Sequence, residues 1–315
     1  MRQFRFKNVL FVFTTLFLVA CDGGSTDPDP VDPLDRTPML AHWVDNIIIP
    51  SYSNFKVKFD AMATASDAFV ATPNATTLAA FRTAWADAYV SWQTVELFEF
   101  GPGDRNTIRN FFNIYPTSVT GINTNIQDPA ANLAVPAAYP TQGFPALDYL
   151  INGLGNSDAE IIAMYTTDAN AAKRLAYIDK VVDRMSSILT TVINEWNGAP
   201  GDTFITKTGL DIGSSTALAV NAYVLNYERY IRTGNFGIPS GAMVSSGGTT
   251  YPDRVEGYYD RDISLALAHA AHQASIDFFN GKDVNTGEFG PSLKSYLDAL
   301  GAKDPATGTS LSTLI

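Results

Sequence analysis

Side chains able to bind or activate a small ligand are sparse in this 315-residue chain, which holds three histidines and one cysteine. His269 and His272 stand three apart, a spacing that puts two imidazoles on one helix face within reach of one metal ion. His42 and Asp45 share that spacing. A metal-activated water needs about three ligands in fixed geometry. No acidic residue four positions away completes the His269/His272 pair, because Asp262 and Asp277 fall one or more turns off. The chain contains neither a His-Glu-x-x-His helix motif nor a Gly-x-Ser-x-Gly elbow. A different chemistry is offered mid-chain by Thr141-Gln142-Gly143-Phe144-Pro145-Ala146-Leu147-Asp148-Tyr149-Leu150-Ile151-Asn152-Gly153. Gly143 permits a sharp turn, Pro145 suits the first turn of a helix, and Asp148 is expected within that first turn, where the helix dipole favours a carboxylate.

The elements that would position these groups begin behind a leader. Arg2, Arg5 and Lys7 precede an apolar run, Val9 to Val19, too short for an ordinary membrane span. Leu18-Val19-Ala20-Cys21 looks like a bacterial lipobox, so residues 1–20 are expected to be a lipoprotein signal peptide and Cys21 the acylated residue. As the sole cysteine, it excludes an intramolecular disulfide framework, and several acyl chains give stable anchoring. Residues 21–36, rich in Gly, Ser, Pro and Asp, are expected to form a disordered tether. Loss of the leader removes three basic residues and no acidic one, moving the formal charge from −11 to −14. With no Lys/Arg run, nucleic-acid binding is not expected.

The body reads as helices. Leu40 to Phe69 is helical, with Pro50 expected to kink or split it. Thr72-Pro73-Asn74 breaks this helix and caps the next. Leu78, Phe81, Trp85, Ala88, Trp92 and Val95 form a 3-4-3-4-3 seam, in a helix expected to reach Gly101-Pro102-Gly103. Ser157-Asp158-Ala159-Glu160 opens another as a capping box. Leu175 to Trp196 carries the longest seam, roughly 35–40 Å of helix. Ala217 to Ile231, Asp262 to Phe279 and Pro291 to Leu300 follow, with Glu228 and Arg232 at ion-pair spacing. Strand patterns are poor. The fold class is therefore all-α, and two up-and-down bundles packed side by side are expected, over 37–154 and 155–315.

Three stretches carry a family resemblance. The run Gly143 to Gly153 resembles the signature of imelysin-like proteins, Gly-x-His-x-x-Glu, with Pro145 at the His position and Asp148 at the Glu position. Trp92 to Pro102 and Phe111-Phe112-Asn113-Ile114-Tyr115-Pro116 are similar to the same pattern, flanking a linker with Arg105 and Arg109. Glu256 and Ser264 match best a Glu and a Ser-rich turn in its second half. The resemblance implies two related bundles meeting at the Gly143 motif, the second expected here to lack its last helix and to leave an apolar strip exposed. It further implies a lipid-anchored binding or accessory protein of iron acquisition, held at the outer membrane through Cys21 and working beside iron-transport components. Gly143, Pro145, Asp148, Glu96, Glu99, Arg105, Tyr115, Glu256 and Ser264 are the expected ligand-binding positions. Asp148, Glu96 and Glu256 are the expected metal ligands, because a hard cation such as iron prefers oxygen donors. Two alternatives stand: a metallopeptidase built around His269 and His272, and a metal-independent polymer binder with Trp92, Tyr258 and Tyr259 exposed in a groove.

Overall fold

The computed structural model describes residues 34–314, so the leader, Cys21 and residues 21–33 of the tether lie outside the described residues. Arg36, placed in the tether by its composition, belongs to the body. It is buried, donating to the carbonyls of Thr208 at 2.8 Å and of Gly209, and to the Tyr296 hydroxyl at 3.1 Å. Helix α1 (Thr37–His42), a π-helical turn (Trp43–Ile48) and α2 (Ile49–Ala71) follow without a break. Pro50 does not split this helical run. It sits at the start of α2, just after the π turn. The Asn46 carbonyl, which an N–H at position 50 would serve in an α-helix, instead accepts from the backbone of Val284 at 3.0 Å.

Asn74 caps α3 (Ala75–Trp92), completing a capping box with Thr77. This helix stops at Trp92, short of the expected Gly101. Beyond it, Gln93, Thr94 and Val95 bond three residues back, tightening the chain into turns. Those turns swing Gln93 and Glu96 into the interior, where both are buried. Three short helices come next: α4 (Pro102–Arg105), α5 (Ile108–Phe112) and α6 (Val119–Gln127). The motif forms α7 (Gly143–Asn152), and α8 (Asp158–Thr166) is capped by Ser157. The longest helix is α9 (Ala171–Trp196), with Ile178, Val182, Met185, Leu189, Val192 and Trp196 buried along it. After α10 (Ala199–Thr206) and α11 (Ser215–Leu225), a second π segment runs over Asn226–Gly237. The chain closes with α12 (Ser264–Asn280) and α13 (Leu293–Ala299).

The core is rich in aromatic rings, and α2 lies at its centre, packing on α3 and on α9. Phe55, Trp92, Phe112 and Phe144 meet at centroid distances of 4.7–6.5 Å. α9 lies C-terminal to position 154, yet it packs on α2, α5 and α7 from the other side of that position, and Asp35–Ile315 forms one compact unit. Among the described residues there is no strand, only two isolated bridges, Lys282 with Phe289 and Lys303 with Ser310. These bridges close two copies of one loop, Lys-Asp-x-x-Thr-Gly, at Lys282–Gly287 and Lys303–Gly308. In each, the Asp side chain accepts backbone N–H bonds from two and three residues on. On the C-terminal half Val224, Tyr227, Ile276 and Leu314 are exposed around a groove of about 320 Å³. No helix among the described residues is long and apolar enough to cross a membrane.

Candidate functional site

Gly143 fixes the motif. Its φ of +79° lies in the left-handed region, and a Cβ there would fall 2.4 Å from the Phe112 carbonyl oxygen. Only glycine lets the two backbones meet so closely. Because α7 starts at Gly143 itself, Asp148 falls in the second turn and not the first, and its own helix terminus does not hold it. The loop before α12 does. The Asp148 carboxylate accepts the backbone N–H groups of Tyr259 at 2.9 Å and Asp260 at 3.0 Å, and the Asn152 amide at 2.9 Å. It is only 1% exposed. Burial pushes it up to about 6 despite these three donors. No Lys, Arg or His pairs with it among the described residues.

Beside Asp148 opens a cleft of about 310 Å³. Tyr115, Pro116, Thr117, Pro145 and Asp148 line it from one stretch of chain, and Asp253, Val255, Gly257, Tyr258 and Tyr259 from another. Tyr259 packs against Tyr149 at 5.3 Å and against Tyr258 at 5.0 Å. The Tyr115 hydroxyl donates to the Asn235 side chain at 2.9 Å.

A few residues along the same loop, Glu256 enters a second polar region, in which Glu96, Arg109, Asn113 and Glu256 are all buried. The two N–H bonds of the Asn113 amide bridge a pair of carboxylates, to Glu96 at 2.8 Å and Glu256 at 2.5 Å. The Asn113 oxygen accepts from the Tyr89 hydroxyl at 2.6 Å, and Gln93 donates to Glu256 at 2.7 Å. Arg109 pairs with Glu96 at 3.0 Å and lies 3.4 Å over the Tyr230 ring. Burial first, then the neighbouring Glu96 charge, raises Glu256, so this pair of carboxyls retains a proton toward neutral pH. Glu99, beside Tyr230, is pushed up to about 7, again chiefly by burial.

The imelysin (peptidase M75) family model matches residues 48–310. The chain belongs to the imelysin family. A stretch of 129 residues is 26% identical to iron-regulated protein A of Synechococcus elongatus, covering 40% of this chain and 35% of that relative. The chain thus matches only about a third of the length of that protein. Two solved structures share the fold. One is described as a putative iron-regulated protein A precursor from Parabacteroides distasonis, with TM-score 0.65 and 19% identity, over 83% of this chain and 78% of that one. The other is an imelysin-like protein from Psychrobacter arcticum, with TM-score 0.60 and 16% identity, over 88% and 79%.

In this imelysin fold Pro145, Asp148 and Tyr115 gather at the cleft, whereas Gly143 lies outside its lining and starts α7 against the Phe112 backbone. Glu96 and Glu256 gather at the buried network. Ser264 donates to the Glu256 carbonyl at 2.6 Å and steadies the loop between the two regions. Arg105 joins neither, because it is on the surface paired with Glu195 at 2.8 Å. The triple Asp148, Glu96 and Glu256 does not converge as a metal centre. Among the described residues no group of three or more His, Cys, Asp or Glu is placed to hold an ion. Both oxygens of Asp148 and one oxygen each of Glu96 and Glu256 accept from N–H donors instead. His269 and His272 are exposed on α12 without a third ligand, so the metallopeptidase constellation is not assembled. Trp92 is fully buried, stacked on Phe112 at 4.7 Å, and cannot line a polymer groove. Sequence reasoning missed Asn113, Gln93, Tyr89 and Asp253. The one available signal was Asn113, an amide set inside the apolar run Phe111 to Tyr115.

Proposed function

We propose that this imelysin-family chain is a binding or accessory component of iron acquisition, lipid-anchored through Cys21 at the outer membrane, and that its ligand enters the cleft beside Asp148. The relatives named iron-regulated protein A support the iron link. The observation that carries the binding role is Asp148 itself: a buried carboxylate with no basic partner among the described residues, held by the loop 111 residues away and bordering a cavity. A buried carboxylate is completed by a cation, by hydrogen bonds or by a proton, and Asp148 has only hydrogen bonds among the described residues. Here the space where a counter-charge would sit is open to a ligand. Deletion in the native host is expected to slow growth under iron limitation and to leave iron-replete growth unchanged. Wild type restores it, and Asp148→Ala at equal abundance does not. Equal growth of the deletion strain at both iron levels contradicts the proposal.

A further inference from the structure

The ten residues lining the Asp148 cleft include two carboxylates and three tyrosines, and none is Lys, Arg or His. We infer that this cleft takes an organic cation, a protonated amine or a quaternary ammonium group, seated against the faces of Tyr258 and Tyr259 and balanced by Asp148 and Asp253. The inference rests on the reading of the cleft as the ligand site and names the chemistry of what enters it.

Four observations converge. Asp148 brings a negative charge into a desolvated place without a counter-ion, which is costly until a positive group arrives. Neighbouring arginines do not supply one. Arg254 lies over the Tyr251 ring at 4.7 Å, and Arg109 is held by Glu96 and Tyr230. Tyr258 and Tyr259 both line the cleft, and a cation over the face of such a ring gains about 0.5–2 kcal/mol. Pro116, Pro145 and Val255 add apolar wall without donors or acceptors, suited to the carbon substituents of an amine and not to a hydrated ion. The volume falls at the lower end of small-ligand sites, which run from about 300 Å³.

Other charge types fit poorly. An anion would face Asp148 and Asp253 together. A coordinated metal would need oxygens that are free, and Asp148 already accepts three N–H bonds, leaving roughly one of about four lone-pair positions.

Calorimetric titration of the full chain in detergent tests this with benzyltrimethylammonium, benzoate, benzyl alcohol and Fe(II) as probes. The ammonium probe is expected to bind saturably in the millimolar range, at least about tenfold tighter than benzoate or benzyl alcohol. Asp253→Asn and Tyr258→Leu, both on the loop and outside the core, are each expected to weaken it about three- to tenfold with unchanged thermal melting. Binding of benzoate, benzyl alcohol or Fe(II) as tight as that of the ammonium probe, and lost in Asp148→Asn, overturns the cation assignment and leaves the cleft as the ligand site. Absence of heat with the ammonium probe at tens of millimolar overturns the assignment too. Probe binding untouched by Asp148→Asn, Asp253→Asn and Tyr258→Leu alike overturns the cleft itself.

Discussion

Glu96 and Asp148 are both almost wholly buried, 4% and 1% exposed, and the fold treats them in opposite ways. Glu96 has Arg109 at 3.0 Å and shares the Asn113 amide with Glu256, in a region closed by Tyr89, Gln93 and Tyr230. Asp148 has three N–H donors, no cation among the described residues and a cavity at its side. Burial of a charge is common to both, so burial does not mark function. What separates them is whether the protein itself completes the charge. Glu96 is completed and ties the turn after α3 to α5. Asp148 is left to be completed from outside.

Breaking the closed side should cost most. Arg109→Met strips the cation from Glu96 and leaves an unpaired buried carboxylate, an expected loss of about 3–5 kcal/mol in urea unfolding. Ligand binding at the cleft should survive in the fraction that stays folded. Gly143→Ala is next. It combines the strain of a positive φ with a Cβ driven against the Phe112 carbonyl, an expected loss of about 2–3 kcal/mol. Unlike the arginine variant, it should also weaken cleft binding, because α7 carries Asp148.

The pH dependence of stability sharpens the comparison further. Asp148 (about 6), Glu99 (about 7) and Glu256 are all raised above their ordinary values. The folded chain therefore holds protons that the unfolded chain has released between about pH 4.5 and 7. Their contribution is fully present below the unfolded values and is lost as pH rises through the folded ones, so Tm should fall by a few degrees from pH 5 to pH 8. Asp168 and Asp298, lowered by hydrogen bonds, act in the opposite sense only below about pH 4. Asp148→Asn should flatten the lower part of that decline. Arg105→Ala gives the smallest effect. Its exposed pair with Glu195 is worth under about 1 kcal/mol, and cleft binding should not change.

Much of the scaffold was legible from local chemistry. The Asn74 cap, the α9 seam and the Gly143 turn each depend on residues within a turn or two of one another, and short-range patterns reveal such things. The sites were legible in part. Asp148 stood out as a carboxylate near a glycine turn, but two of its three donors come from positions 259 and 260, and no local pattern announces them. The same holds for Asn113 and Glu256, which are 143 residues apart in the chain. An inward amide looks like a surface one until its partners are known. The early end of α3 was hidden because its apolar spacing continues to Val95, while Gln93 and Glu96 are drawn inward by distant partners. Arg36 was misplaced for a similar reason: the composition around it is that of a tether, and distant partners such as the carbonyls of Thr208 and Gly209 and the Tyr296 hydroxyl make it part of the body.

The most direct test follows the Asp148 carboxyl carbon by NMR as pH is varied, with and without benzyltrimethylammonium. A charge left uncompensated by the protein should titrate near about 6 in the free chain and move down when the ammonium probe is present. A midpoint near the ordinary aspartate value of about 3.9, indifferent to the probe, would contradict the claim that this cleft waits for a positive group.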